Sequence, residues 1–104
     1  MKRRSVAWSP KAVRQLDQAC EYYEAQRPGL DLVFARSAEG VSNLVSHTPH
    51  AGASVEEALD LGEVRRFPLR PFPVDLVYLV RDEVVLVLAL APHKRRPGSW
   101  RDDD

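Results

Sequence analysis

Residues 72–90 read FPVDLVYLVRDEVVLVLAL, two apolar runs of strand length separated by Arg81-Asp82-Glu83. A polar gap of that length joins antiparallel strands in a hairpin. In the first run Phe72, Val74, Leu76, Tyr78 and Val80 alternate with Pro73, Asp75, Val77 and Leu79. Successive strand residues point to opposite faces, so one face is apolar and the other mixed. The second run, residues 84–90, is apolar on both faces, which predicts a central strand covered on each side. Upstream, residues 64–69 form a third strand across Arg70-Pro71, and Pro68 within it predicts an edge position or a bulge. Downstream the character changes at once: His93-Lys94-Arg95-Arg96-Pro97-Gly98-Ser99-Trp100 is a cationic segment closed by a tryptophan.

The first half is helical. Residues 6–8, Val-Ala-Trp, form a short strand candidate after a basic N-terminus. Ser9-Pro10 then signals a helix start, with a hydroxyl N-cap and proline at the position where a missing N–H costs nothing. Val13, Leu16, Ala19 or Cys20, and Tyr23 recur at helical spacing to about Gln26. Arg27-Pro28-Gly29 breaks the helix, and a second stripe of Leu30, Phe34, Ala38, Val41, Leu44 and Val45 runs to Thr48-Pro49. So short a break predicts an antiparallel helical hairpin. Residues 51–63, with Glu56, Glu57, Asp60 and Glu63, read as an acidic loop. The order strand, helix, helix, strand, strand, strand predicts an α+β fold, with the helical hairpin on one face of a small, mostly antiparallel sheet. The other face is left partly open, with basic side chains near it.

Composition narrows the class. The chain has 104 residues, enough for one core and one domain, residues 1–104. With 44% hydrophobic and 29% charged residues it is a globular protein and not a disordered one. Its longest apolar stretch, residues 84–91, is far short of the roughly 20 residues that span a bilayer. Lys2-Arg3-Arg4 is followed by no signal-peptide apolar region, and Cys20 has no second cysteine to pair with, so a cytoplasmic setting is expected. Net charge is zero, yet residues 64–101 hold eight basic residues against three acidic ones, a net of +5. Charge segregated in this way points to an anionic partner for the basic part, which includes the tail 92–104.

Several residues are candidates for that role. Arg65 and Arg66 are adjacent on a strand, so at most one faces the open side; phosphate is a natural ligand for a guanidinium. The competing use is an ion pair with Glu63, Asp75 or the acidic loop. Arg70, Lys94, Arg95 and Arg96 are cationic at physiological pH, suited to clamping phosphates or stabilising a phosphoryl transition state. His93, directly after the central strand, is of a residue type that suits general-base chemistry, although a structural hydrogen bond is the commoner use. Trp100 offers a stacking surface for a base, or packs back onto the sheet. His47 and His50 straddle a helix end with no third ligand nearby, so no metal site is expected. The serines lack a nucleophile context, and there is no Gly-rich phosphate loop.

In their order and spacing these segments resemble the RelE/ParE superfamily of type II toxins, also called plasmid stabilisation proteins, over nearly the whole chain. The matching residues are Trp8-Ser9-Pro10 with Ala12 and Leu16, Tyr22-Tyr23, Pro28-Gly29-Leu30 with Phe34, and Pro49. Val64-Arg65-Arg66, Phe72-Pro73 with Val77-Tyr78, and His93-x-Arg95-Arg96-Pro97 with Trp100 complete the set. The resemblance implies a compact β-α-α-β-β-β toxin domain, no cofactor, and a cognate antitoxin partner in a toxin–antitoxin hetero-oligomer. RelE-like members cleave mRNA in the ribosomal A site without metal, using basic side chains and often a C-terminal tyrosine; ParE-like members inhibit DNA gyrase. On the nuclease reading His93, Arg66, Arg95 and Arg96 would be catalytic. On either reading Arg65, Arg66, Arg70, Lys94, Arg95, Arg96 and Trp100 would face the target. This chain has Trp100 where a phenol would be needed, and its only lysines are Lys2, Lys11 and Lys94. A tryptophan stacks but does not exchange a proton, which favours the ParE-like, non-enzymatic branch. A member that binds its antitoxin without toxicity is the third alternative.

Overall fold

The computed structural model describes residues 3–102. Strand β1 is Ser5–Trp8, helix α1 Pro10–Gln26 and helix α2 Leu30–His47. A 3-10 turn at Pro49–Ala51 leads to the two-residue strand β2, Ala53–Ser54, and a second 3-10 segment covers Glu56–Leu61. Strands β3 (Glu63–Pro68), β4 (Val74–Val80) and β5 (Val84–Pro92) follow, and a last 3-10 turn occupies Ser99–Arg101. The five strands form one sheet in the order β1-β5-β4-β3-β2. β3, β4 and β5 are the expected antiparallel meander. β1 runs parallel to β5, from Ser5 opposite Val84 to Trp8 opposite Val87, so the apolar strand is central.

Local chemistry sets the helix ends. Ser9 Oγ accepts a hydrogen bond from Ala12 N–H at 3.0 Å, capping α1, with Pro10 in its first turn. The same hydroxyl donates to Leu88 O at 3.0 Å, and Gln15 Oε1 accepts from Leu90 N–H at 2.8 Å. β1 ends opposite Val87, so these two side chains satisfy the edge of β5 where its neighbour strand stops. At the other end of α1, Gly29 adopts φ +94°, a left-handed turn that a side chain would strain, and its N–H donates to Glu24 Oε1 at 2.8 Å. Gly40, in contrast, has open space around it and makes no close packing contact.

The helical hairpin packs on the face bearing Val74, Leu76, Tyr78, Val85, Val87 and Leu90, with Phe34, Ala38 and Val45 buried from α2. Tyr23, Phe34 and Phe72 form an aromatic cluster with ring centroids 4.6–5.2 Å apart. The opposite face is more closed than the strand pattern predicts. Val55, Ala58, Val64, Val77, Leu79, Ala89, Ala91 and Trp100 form a second core there, under Glu56–Leu61 and Ser99–Arg101. Residues 51–63 are thus not a plain acidic loop: Val55 and Ala58 are buried while Glu56, Glu57 and Asp60 face water. A register shift between β4 and β5 at Val77/Tyr78 puts Leu88 and Ala89 on this second face together. Pro68 lies beyond the reach of β2, which pairs only with Arg65 and Arg66, so β3 is an edge where its proline sits.

A polar network holds the segment after α2 against the sheet. The buried Tyr78 hydroxyl donates to Pro49 O at 2.7 Å and accepts from Gly52 N–H at 3.0 Å. Arg65, on the same face as Tyr78, donates to Gly52 O at 2.7 Å and to Glu63 Oε2 at 2.8 Å, and His50 Nε2 lies 2.9 Å from that carboxylate. Gly52 is held so closely that a Cβ would lie 2.5 Å from the Tyr78 hydroxyl and 2.7 Å from Arg66 O. Burial pushes the Tyr78 phenol above its usual range, and the hydrogen bond from Arg65 holds Glu63 below the usual carboxylate range.

Tyr78→Phe leaves the Pro49 carbonyl and the Gly52 N–H without their partner, and a loss of about 1–3 kcal/mol is expected in urea unfolding. Gly52→Ala is expected to destabilise as well, since the atoms it meets include rigid backbone. A carboxylate with a depressed folded pKa stabilises above its unfolded pKa and loses that contribution as pH falls. The urea midpoint is therefore expected to fall below pH 4.5, near the ordinary glutamate value, by less in Glu63→Gln than in the parent chain.

Candidate functional site

The second face of the sheet, beside its small core, carries the charged groups. β3 places Arg66 opposite Val77, on the face away from the helices, and β4 places Asp75 two residues before it on that same face. His93 follows β5, and its N–H donates to Pro73 O at 2.9 Å, which fixes the start of the tail. The Asp75 carboxylate gathers the other two. Asp75 Oδ2 accepts from Arg66 Nε at 2.6 Å, and Asp75 Oδ1 lies 2.8 Å from His93 Nε2. The Asp75 side chain is only 12% exposed, so an unpaired charge there would be costly; the guanidinium and the imidazole compensate it. The Arg66 and His93 side chains are 29% and 45% exposed.

Two depressions meet at His93. One is an open groove of about 480 Å³ along Pro68, Arg70, Pro71, Phe72 and Pro73, where the Arg70–Pro71 peptide is cis. The other is a smaller pocket of about 140 Å³ that reaches from Arg66 past Arg95 and Arg96 to Trp100. The tail closes the pocket because Gly98, at φ +82°, turns the chain into Ser99–Arg101 and lays the indole against the second core. Lys11 Nζ from α1 donates to Trp100 O at 2.6 Å and Asp102 O at 2.8 Å, pinning this turn. Arg101 makes a two-pronged contact with Asp60 at 3.0 and 3.1 Å, which draws the Asp60 carboxyl below its usual range.

The expected target-facing residues therefore divide. Arg66, His93, Arg95, Arg96 and Trp100 share one pocket, and Arg70 lies across His93 in the adjoining groove. Arg65 points to the helix face and serves the Gly52–Glu63 network, as its strand position next to Arg66 requires. Lys94 is exposed and lines neither depression. Trp100 offers no stacking surface: it is 7% exposed, because burying the indole against Val77 and Ala91 removes apolar area that a free tail would leave wet. Arg96 is partnered by Asp102, with Nη2 to Oδ2 at 2.7 Å; the rest of the aspartate run, 103–104, lies outside the described residues. Asp75 was legible only as one possible ion-pair partner, although a charged residue on an inner strand is itself a sign of a fixed pair.

Other chemistry is thinly supplied. Among the described residues no group of three or more His, Cys, Asp or Glu is placed to hold a metal ion. Tyr78 is buried with its hydroxyl donating and accepting inside the fold, and Tyr23 is packed between Phe34 and Phe72. Tyr22, 59% exposed, sits on α1. No helix among the described residues is long and apolar enough to cross a membrane.

Comparison with known proteins agrees with this architecture. Residues 6–97 match the family described as the ParE toxin of the type II toxin-antitoxin system, parDE. Among solved structures, the chain is similar to one from the chromosomal ParDE toxin–antitoxin system of P. aeruginosa, with a TM-score of 0.70 and 19% identity. That likeness covers 86% of this chain and 95% of the other, and at this identity it shows the fold. No curated protein matches the chain. The family match takes in both helices, the sheet and the Arg66–Asp75–His93 cluster: the chain belongs to the ParE toxins of type II toxin–antitoxin systems.

Proposed function

We propose that this toxin arrests growth by inhibiting DNA gyrase through binding, and that a cognate antitoxin encoded with it neutralises it in a hetero-oligomer. The observation that carries the reading is the match to the ParE toxin family across residues 6–97, joined to the resemblance of the chain to gyrase-directed toxins. The similar structure from P. aeruginosa belongs to a system named for both toxin and antitoxin, which supports an antitoxin partner here.

The site chemistry supports binding over catalysis. Cleaving a phosphodiester without metal needs a proton acceptor, a proton donor and uncompensated positive charge at the developing oxyanion. Here Asp75 sets a negative charge against both Arg66 and His93. The phenol nearest in sequence to the RNA-cleaving pattern, Tyr78, is buried and fully hydrogen-bonded. A second reading, a ribosome-dependent mRNA endonuclease, has one observation in its favour: a carboxylate bonded to an imidazole also orients a general base. In that case Arg95 and Arg96 would supply the charge stabilisation.

The experiment is induction of the chain without its antitoxin, with DNA supercoiling and mRNA ends read separately. Growth arrest with loss of negative supercoiling and intact messages is expected, and purified chain is expected to inhibit gyrase in vitro, with His93→Ala retaining most of that inhibition. Messages cut at the ribosomal A site, and spared in His93→Ala, would replace the gyrase reading with the nuclease one. Normal growth with a soluble, folded chain would leave an antitoxin-binding protein without toxicity.

A further inference from the structure

The small pocket beside the second core holds more hydrogen-bond donors than the fold uses. Arg95 makes no ion pair or side-chain hydrogen bond with any described residue, although it lines the pocket within two residues of His93. Arg66 commits Nε to Asp75, and the guanidinium has further N–H groups to offer. Trp100 forms part of the wall, and its buried indole Nε1–H has no partner among the described residues. A buried donor of this kind is rare in a folded protein, and it makes the indole N–H a sensitive reporter of changes in the pocket wall.

We propose that this pocket binds a single phosphate-class oxyanion, with Arg95 and Arg96 as its donors, Arg66 and His93 as a wall held in place by Asp75, and Trp100 as the apolar wall opposite. This reading does not depend on which cellular target the toxin has. The volume, about 140 Å³, suits one small anion with little accompanying water. Donors on separate residues around one space match a tetrahedral group with several acceptor oxygens better than a carboxylate with two. The tryptophan contributes as a wall, packed in the second core, and its indole N–H reports on the pocket beside it. Asp102 is the built-in competitor. Its carboxylate rests on Arg96 at 2.7 Å, but both side chains are largely exposed, 59% and 72%, so the contact is weak and readily exchanged for a phosphate.

Phosphate chemistry reaches such a pocket either from a small phosphorylated ligand or from a nucleic-acid backbone. The test is two-dimensional proton–nitrogen NMR of the full chain, following the indole N–H signal of Trp100, assigned by its loss in Trp100→Phe. Inorganic phosphate at constant pH is expected to move this signal saturably, while sodium chloride at matched ionic strength leaves it in place. Arg95→Gln, an exposed change that leaves the core intact, is expected to weaken the phosphate affinity about tenfold, the loss of one charge-assisted bond. Asp102→Asn is expected to tighten binding by freeing Arg96; unchanged affinity would overturn the competitor role. A short single-stranded oligonucleotide lacking terminal phosphates that moves the same signal identifies a backbone phosphodiester as the source; no response to it, with phosphate active, identifies a small phosphorylated ligand. The proposal is overturned if phosphate leaves the Trp100 signal unmoved, if chloride reproduces the shift, or if Arg95→Gln binds as tightly as the parent. A shift produced by a glutamate-rich peptide and not by phosphate would overturn it in favour of a protein carboxylate.

Discussion

Strand β5 carries apolar side chains on both faces, and neither face can be left to water without exposing several valines, leucines and alanines. One face meets the helical hairpin through Val85, Val87 and Leu90. The other, bearing Ala89 and Ala91 with Leu86 and Leu88 at its margin, has no helix available. It is covered by what the chain has left: the 3-10 segment Glu56–Leu61 and the tail, which brings Trp100 down as a lid. Much of the molecule follows from that need. β1 fills the open edge of β5, Ser9 and Gln15 take over where β1 ends, and Lys11 holds the carbonyls of the returning tail. The basic segment is therefore shaped by packing before any partner is considered.

The same closure creates the charged pocket. Folding the tail against the sheet brings Arg95 and Arg96 alongside Arg66, three like charges that would repel if left to themselves. Asp75 lowers that repulsion from inside the sheet and Asp102 from the solvent side, with Asp60 balancing Arg101 further along. The inner pair is semi-buried and doubly partnered, so it is firm; the outer pair is wet and exchangeable. A firm inner carboxylate and a loose outer one fit a surface that receives an anion.

Much of the fold was legible in the residues. Ser9-Pro10 and Gly29 mark helix ends by chemistry that operates within a few residues, and α1 runs from Pro10 to Gln26 as the stripe predicts. The period-two alternation of residues 72–80 identifies the face the helices cover, because a strand has only two faces to assign. Glu63 and Asp75 are legible as possible ion-pair partners for Arg65 and Arg66; which acid serves which arginine follows from the strand faces, Arg65 taking Glu63 and Arg66 taking Asp75. The two-residue β2, the kinked 3-10 segment and the register shift at Val77/Tyr78 were not legible. None is encoded by a repeating pattern; each depends on which carbonyls and N–H groups neighbouring elements leave unpaired.

By itself, the sequence determined the element order, the helix termini, the centrality of β5 and the separation of charge into a basic second half, because these follow from short-range periodicity and capping. The direction of β1 against β5, the burial of Trp100, the sharing of Asp75 between Arg66 and His93, and the orphan indole N–H were decided by tertiary structure alone. Asp75 and His93 are 18 residues apart along the chain, and Lys11 and Trp100 are 89 apart. Contacts across such separations arise only when the whole sheet is assembled and both of its faces have been covered.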